Sequence, residues 1–416
     1  MSTSTSKQPA VRLYRLGRLP FALSGEGECA DYLHGELESL RVDERMAPRV
    51  AFEFVRALPP LRDFTATSPV RAMADAFRVA SNSLSYQVSG LNGGPGGEQA
   101  RSLFPGSGLR VALLPDDQGR RYRWFSAFYR ARDWNYLSAE ETHAKNFMYG
   151  VFDYITHIAQ LELGQSYMHA SSLARDGEGT AIVAWGGIGK TSAALKLITE
   201  HGFSFLSDDL GLVDEGGTLW RTPKRLQVYA YNLEGEDRLR SMLLDDRPFL
   251  DRASWAWKLR RRGPKGVRRR VTAEELFGAR SVARSAPLTR IFCLERGDVR
   301  DFEVSEITTD ELSRRAAEVV MHEIEPFGLI SRALHSGHHA PLLPTQDEVV
   351  SATRAVLRRA FGGVPALNVR IPLATTPTSL AARLLALMGE GGGRRRQTAD
   401  SRQPPTPRTP TTTRGT

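Results

Sequence analysis

Residues 180–209 decide the fold of this chain, and they read TAIVAWGGIGKTSAALKLITEHGFSFLSDD. The run opens with a short apolar segment, Ala181 to Trp185, which is typical of a buried strand. A turn with three glycines follows, and a helix-forming segment begins at Lys190. This order of strand, glycine-rich turn and helix is the context that a phosphate-binding loop requires. The stretch therefore predicts an α/β fold with an anion site at the start of a helix.

The composition of the turn indicates how it would bind a nucleotide. Its glycines let the backbone approach a polyphosphate, so that N–H groups point inward at the positive end of the helix dipole. Lys190 would contact the β- and γ-phosphates, and the Thr191 hydroxyl would ligate Mg²⁺. The residues expected to bind the nucleotide are Gly186, Gly187, Ile188, Gly189, Lys190, Thr191 and Ser192.

The match to the phosphate-loop pattern G-x-x-x-x-G-K-[ST] is incomplete. Its first glycine is replaced by Ala184, which begins the loop rather than lining it. The core GGIGKT is intact, and Gly202 is a suitable end for the helix that follows. An ordinary glycine-rich turn before a core helix is the alternative, and the flanking strand and helix make it the weaker interpretation.

Two acidic residues and one histidine lie near the loop in the sequence. Asp208 and Asp209 follow a second apolar segment, Phe203 to Leu206. Phosphoryl transfer with Mg²⁺ needs carboxylates near the γ-phosphate, whereas a solvated turn after a strand is the alternative for this pair. His169 begins the strand before the loop, and its spacing alone favours a histidine of the core.

Together these motifs resemble the catalytic domain of bacterial HPr kinase/phosphorylase. They are closer still to the HPr-kinase-like proteins of peptide biosynthesis clusters, including the lasso-peptide kinases. The likeness rests on the His-Ala pair at 169–170, a hairpin through 176–179, the GxGKT loop and the FLSDD segment. It covers about residues 165–300 and continues more vaguely to residue 390.

The sequence departs from that family's pattern at three positions. Besides Ala184, it has Gly187 where the family often has serine, and Thr191 where the family has serine. None of these changes removes a type of ligand. The resemblance therefore implies a P-loop nucleotide-binding domain like the carboxyl-terminal domain of HPr kinase.

The resemblance also implies ATP and Mg²⁺ as cofactors and assigns roles to individual residues. Asp208 would be the base that accepts the proton of a hydroxyl group, His169 would orient it, and Lys190 would offset charge on the phosphoryl oxygens. Thr191 and Asp209 would ligate the metal. The division of roles between the two aspartates is open to reversal.

Composition places the chain among globular proteins. It has 416 residues, of which 41% are hydrophobic and 25% charged, so it can bury a substantial core. It contains no apolar run of about 18 residues, and its first residues lack the apolar core of a signal peptide. The two cysteines, Cys29 and Cys293, are too few for a disulfide scaffold. We therefore expect a cytoplasmic protein without membrane contact.

The net charge of +9 is concentrated in two stretches. Residues 258–270 carry eight basic side chains and no acidic one, and the tail from Gly391 carries six arginines against Asp400. These stretches contribute +8 and +5, which leaves −4 for the other residues. The chain is thus mildly acidic outside two basic patches, and we expect no nucleic-acid partner.

Hydrophobic patterns divide the chain into four parts. Residues 1–10 and the Arg-, Pro- and Thr-rich tail 391–416 are expected to be disordered. Residues 11–137 are predicted to form an α+β module, and residues 138–390 the P-loop domain, with its core at 165–300. Residues 11–23 have alternating apolar positions and begin the module. Strands are expected at 50–55, 110–114 and 122–129, and a glycine-rich loop begins at Gly90.

The carboxyl-terminal part shows alternating helix and strand signals. A capping box at 138–141 begins a long helix that ends near Gly164. Further strands are predicted at 210–213, 219–221, 287–295 and 366–371, and further helices at 310–324, 347–361 and 378–388.

Two other clusters have ambiguous meanings. The basic stretch 258–270 is broken by glycines and a proline, which predicts a flexible loop. This loop is either solvated and without a role in the reaction, or it supplies a basic side chain that closes over the γ-phosphate. His335, His338 and His339 are predicted to form a surface loop, because no cysteine or suitably spaced carboxylate completes a metal-ligand set.

The sequence thus predicts an ATP-dependent kinase that transfers the γ-phosphoryl group to a hydroxyl, most plausibly a serine or threonine of a peptide or protein. A kinase for a small metabolite is one alternative, and a nucleotide-binding partner protein without activity is another. The family resemblance implies a homo-oligomer.

Overall fold

The computed structural model of the chain describes residues 11–400, apart from 45, 68, 74, 81–83, 92–107, 116–138 and 338–341. The strands are β1 (Arg12–Leu16), β2 (Leu19–Ser24), β3 (Val50–Phe54), β4 (Thr65–Thr67), β5 (Val70–Ala72), β6 (Ala76–Val79), β7 (Leu84–Gly90), β8 (Leu109–Pro115), β9 (Gln165–Met168), β10 (Ala170–Arg175), β11 (Glu178–Ala184), β12 (Ser204–Ser207), β13 (Gly211–Asp214), β14 (Thr218–Trp220), β15 (Leu226–Tyr229), β16 (Arg268–Val271), β17 (Ser285–Gly297), β18 (Glu303–Glu306) and β19 (Ala366–Pro372). The α-helices are α1 (Glu28–Leu37), α2 (Ala139–Phe147), α3 (Asp153–Leu161), α4 (Lys190–His201), α5 (Asp237–Leu244), α6 (Phe249–Arg262), α7 (Ala273–Phe277), α8 (Thr309–Glu323), α9 (Glu325–His335), α10 (Gln346–Ala360) and α11 (Pro377–Asp400). The mixture of sheets and helices agrees with the predicted α/β class.

The first sheet is built by residues 12–115. Its eight strands run in the order β1-β2-β3-β8-β7-β6-β5-β4, and the pairs β2–β3 and β3–β8 are parallel. The predicted strands at 50–55 and 110–114 are present as β3 and β8. The predicted strand at 122–129 and most of the glycine-rich loop lie outside the described residues.

One long helical segment joins the first sheet to the rest of the chain. It consists of α2, a π-helical stretch at Met148–Phe152, and α3. Phe147 packs against Phe52 at 5.1 Å between ring centroids, and Phe152 packs against Phe21 at 5.4 Å. All nine residues of α3 are buried. The predicted long helix therefore packs into a core that it shares with the first sheet, while the domain division at 138 stays a prediction.

The second sheet has nine strands and holds the stretch from which the fold was predicted. Its main path is β12-β10-β11-β17-β14-β13-β9, and β19 pairs with both β17 and β18. The central pairs β11–β17 and β17–β19 are parallel, whereas β10 and β11 form an antiparallel hairpin. The strands predicted at 210–213 and 219–221 are present as the antiparallel pair β13–β14.

Helices cover both faces of the second sheet. Ile182 and Ala184 pack with α4 and α11 on one face, whereas Ala181 and Val183 pack with α8 and α10 on the other. This alternation follows from the two-residue repeat of a strand that is buried on both sides. The predicted helices at 310–324 and 347–361 are α8 and α10, while α9 and β18 were not predicted.

The basic stretch 258–270 is not the flexible loop that its glycines suggested. Helix α6 continues to Arg262, and after a short turn β16 pairs with β15 in a two-stranded sheet. Trp255 is buried in α6, and Arg269 forms an ion pair with Asp251 at 2.7 Å. Tertiary packing therefore overrides the local breaker signals except at the turn itself.

The carboxyl-terminal helix also differs from its prediction. Helix α11 continues to Asp400, beyond residue 391 where disorder was expected, and residues 401–416 lie outside the described part. Within the residues described, no helix is both long and apolar enough to cross a bilayer.

Candidate active site

The glycine-rich turn lies between the end of β11 and the start of α4. Ala184 is a buried strand residue that pairs with Leu294, which explains why a methyl group is tolerated at that position. Gly187 has φ 76° and Gly189 has φ 118°, a region that residues with side chains rarely adopt. The turn therefore needs glycine at these two positions. Gly189 is the N-cap of α4, where the N–H groups of the first helical turn have no partner within the helix.

Lys190 is buried at the first position of α4. Its Nζ donates a hydrogen bond to the carbonyl oxygen of Trp185 at 3.3 Å. Burial lowers the pKa of Lys190, and the charges of Asp208, Asp209 and Glu323 act in the opposite direction. The ammonium group therefore lies in a cluster of carboxylates at the mouth of the turn.

Asp208 lies directly after β12, and both of its carboxylate oxygens accept hydrogen bonds. Its carboxylate accepts hydrogen bonds from Ser171 and, at 2.9 Å, from the Thr191 hydroxyl. Burial raises the pKa of Asp208, and the hydrogen bond from Ser171 opposes this shift. The neighbouring hydroxyl of Ser192 accepts a 2.6 Å hydrogen bond from Asn232, so it is held at one side of the site.

Asp209 has a strained backbone and a different environment. Its φ of 70° lies in the left-handed region, which costs a residue with a side chain about 1–2 kcal/mol. Its Oδ2 lies 4.0 Å from Nζ of Lys224, a buried lysine that pairs with Asp153 at 2.8 Å. Strain of this kind is typical of functional positions, where the surrounding structure holds a side chain in one direction.

His169 connects the hairpin to a helix that is distant in sequence. Its Nδ1 lies 2.7 Å from Oε1 of Glu323, at the end of α8, and its Nε2 lies 4.0 Å from Oδ1 of Asp209. The histidine is 3% exposed, whereas the two carboxylates are partly open. One ligand atom from each of the three residues lies within 4.8 Å of the others, so the trio is able to hold a metal ion.

One cavity of about 750 Å³ joins these groups. Its volume falls in the range of sites that bind small molecules and cofactors. The predicted site residues that line it are His169, Gly186, Gly187, Gly189, Lys190, Thr191, Ser192, Asp208 and Asp209. Ile188 does not line the cavity, because its side chain packs against the core and its carbonyl accepts a hydrogen bond from Arg296.

The sequence analysis did not identify several residues of the site. Glu323, Arg296 and Lys265 line the cavity, and Nζ of Lys224 lies 4.0 Å from Oδ2 of Asp209. Glu323 and Arg296 are more than 100 residues from the loop and carry no local motif. Lys265 belongs to the basic stretch, for which the sequence left open a solvated loop or a source of a cation.

The histidine cluster lies elsewhere. His335 forms a 3.1 Å contact from Nε2 to the carbonyl oxygen of Leu343, while His338 and His339 lie outside the described residues. His335 is the last residue of helix α9, so the predicted loop is wrong at that residue and stays a prediction for residues 338 and 339.

No family model and no curated protein matches the chain. Among solved structures it is similar to the Hpr(Ser) kinase/phosphatase from Coxiella burnetii, with 12% sequence identity and a TM-score of 0.23. The alignment covers 56% of this chain and 98% of that one. A likeness this distant transfers neither site residues nor activity, so the case for a function rests on the geometry of the cavity.

Proposed function

We propose that the chain is an ATP-dependent kinase that transfers a γ-phosphoryl group to a hydroxyl of a peptide or protein. The observation that carries this proposal is the convergence of Lys190, Thr191, Asp208, Asp209 and His169 on one cavity at a helix amino terminus. Phosphoryl transfer depends mainly on positioning and on charge complementarity, and this arrangement supplies both.

The glycine-rich turn fits a polyphosphate. Gly187 and Gly189 line the cavity and have no side chains, and a Cβ at Gly187 would meet no atom within 4 Å. Phosphate oxygens can therefore approach the N–H groups at the start of α4. Lys190, with its ammonium group at the mouth of the turn, is the residue that would bind the terminal phosphates.

The residues next to Lys190 fit Mg²⁺. A hydroxyl and a carboxylate, from Thr191 and Asp208, lie 2.9 Å apart, and hard oxygen ligands of this kind suit the ion. Mg²⁺ bound there would neutralise charge on the phosphates. These contacts support a reversal of the roles first expected of the two aspartates, in which Asp208 rather than Asp209 is the ligand of Mg²⁺.

Asp209 and His169 are then the groups that face an acceptor. The acceptor oxygen would form a bond to the γ-phosphorus while the bond from that phosphorus to the β–γ bridging oxygen breaks and ADP leaves. The hydroxyl proton would pass to the carboxylate of Asp209. Since both oxygens of Asp208 already accept hydrogen bonds, Asp209 is the better placed base.

The choice of acceptor is less constrained. An eight-stranded module is more than a metabolite kinase needs, and this favours a macromolecular acceptor over a small one. A binding protein without activity is disfavoured, because the strained Asp209 and the buried His169 both line the cavity beside Lys190. A cytoplasmic location and a homo-oligomer stay predictions.

Transfer of label from γ-³²P ATP to candidate peptides, proteins and metabolites tests the proposal. We expect Lys190→Ala, Asp208→Asn and Asp209→Asn to reduce transfer by about 100-fold or more, because each removes a charge at the reacting phosphate. Glu318→Gln, an exposed change on α8, is the matched control and should transfer normally. Equal transfer by the control and all three site variants would disprove the assignment.

A further inference from the structure

His169, Asp209 and Glu323 form a cluster with an unusual contact. The buried Nδ1 of His169 has no hydrogen-bond partner among the described residues, although Oε1 of Glu323 lies 2.7 Å away. The carboxylate thus approaches the ring nitrogen outside the direction of a hydrogen bond. Two ligand atoms of one metal ion also lie close together without a hydrogen bond between them, because the lone pair of each atom points at the ion.

The distances in the cluster are close to those of a metal site. Ligand atoms that are each about 2.1 Å from one ion lie at most about 4.2 Å apart. The three ligand atoms here lie within 4.8 Å of one another. A small movement of the partly exposed carboxylates would bring all three within bonding distance of one ion. Because Asp209 and Glu323 both face the cavity, further coordination positions are open to water or substrate.

We infer that His169, Asp209 and Glu323 bind a divalent first-row transition-metal ion such as Mn²⁺ or Zn²⁺. One imidazole and two carboxylates form a mixed nitrogen and oxygen set, which suits these ions better than it suits Mg²⁺. The site is distinct from the hydroxyl and carboxylate of Thr191 and Asp208.

Neighbouring charges are compatible with a cation. Lys224 lies 4.0 Å from Asp209, but its closer partner is Asp153 at 2.8 Å, so that pair largely cancels. Lys190 is the other nearby cation, and Asp208 lies beside it. Asp209 and Glu323 therefore supply two negative charges for the ion.

The metal site itself does not depend on kinase activity. If the proposed function is correct, the ion lies on the acceptor side of the cavity, where it would favour the deprotonated form of a bound hydroxyl. Asp209 has two carboxylate oxygens, so one can ligate the ion while the other accepts the proton.

Titration of the nucleotide-free full chain with Mn²⁺, followed by electron paramagnetic resonance, tests the inference. We expect one tightly bound ion per chain. Pulsed measurements on the wild type should show a coupled imidazole nitrogen that changes when histidine is labelled with ¹⁵N. This second readout requires no variant and so does not depend on how a variant folds.

Substitutions then identify the ligands. His169→Gln and Glu323→Gln should each weaken Mn²⁺ binding by more than the roughly 10- to 100-fold effect of losing an outer-sphere partner. The exposed control Glu318→Gln should leave it unchanged. No tight Mn²⁺ or Zn²⁺ binding, no nitrogen coupling, or unchanged binding in His169→Gln would overturn the inference. Metal binding without any phosphoryl transfer would uphold the metal site and refute the kinase.

Discussion

The Thr191 hydroxyl donates a hydrogen bond to the carboxylate of Asp208 at 2.9 Å, although the two residues are 17 positions apart. Thr191 lies in the first turn of α4, and Asp208 lies directly after β12. Ser171 of β10 donates to the same carboxylate, so the hairpin, the helix and β12 meet at one group. This contact fixes the position of the hydroxyl next to Lys190.

The first prediction concerns that hydroxyl. Thr191→Val keeps the shape of the side chain but removes the oxygen, so it should weaken binding of ATP by about 10- to 100-fold when Mg²⁺ is present. Thr191→Ser keeps the hydroxyl and should bind ATP like the wild type. Calorimetric titration with Mg²⁺ and with EDTA measures both effects. An equal loss under the two conditions would show that the hydroxyl does not act through a metal.

The second prediction concerns the stability cost of Asp208. Because burial raises the pKa of Asp208, the folded protein takes up a proton there more readily than the unfolded chain. The stability that this proton contributes is complete below the ordinary aspartate pKa of about 4 and is lost as pH rises through the folded-state pKa. Asp208→Asn should therefore gain stability relative to the wild type between pH 4 and pH 7.

Urea unfolding at the two pH values measures this gain. Asp245→Asn, an exposed change, is the control and should show no pH-dependent difference from the wild type. If the difference between Asp208→Asn and the wild type is the same at both pH values, the explanation by burial is wrong.

The third prediction concerns the buried pair of Asp153 and Lys224. Burial lowers the pKa of Lys224, but the carboxylates of Asp153 and Asp209 outweigh it and raise the pKa overall. Lys224→Met leaves the buried charge of Asp153 without its partner and should cost about 3–5 kcal/mol of unfolding free energy. The double variant Asp153→Asn with Lys224→Met should recover most of this loss.

Chemical denaturation measures the cost, and an exposed ion pair provides the comparison. Arg354 and Asp310 lie 2.7 Å apart at the surface, so Arg354→Met should change stability by less than about 1 kcal/mol. A cost for Lys224→Met as small as that for Arg354→Met would mean that the inner pair is solvated.

The fourth prediction separates two members of the basic stretch. Lys265 lines the cavity, whereas Arg260 is exposed on α6 and is not among the residues that line it. Lys265→Ala should raise KM for ATP or lower kcat by about 10-fold, because one cation near the phosphates is lost. Arg260→Ala should have no effect. Steady-state kinetics with a labelled acceptor distinguishes them, and equal behaviour would place the whole stretch outside the reaction.

Much of the second sheet was visible in the sequence because its signals are local. The apolar run from Ala181 to Ala184, the glycines that follow and the apolar helix after them indicate a strand, a turn and a helix without reference to distant residues. The pair Asp208 and Asp209 was recognisable for the same reason, since it follows an apolar segment directly. The basic stretch was mispredicted because burial of Trp255 and pairing with β15 oppose its local breakers.

The sequence by itself determined the strand, the turn, the helix and the residue types that the chemistry requires. Only the tertiary structure decided which residues lie close together at the site. It places Glu323 next to His169 and Lys224 near Asp209, and it forms the hydrogen bond from Thr191 to Asp208. Backbone geometry over a few residues follows from their own side chains, and so a short pattern reveals it. Distances across a site depend on the order of strands and on the helices packed over them, which is set by the burial of the whole core.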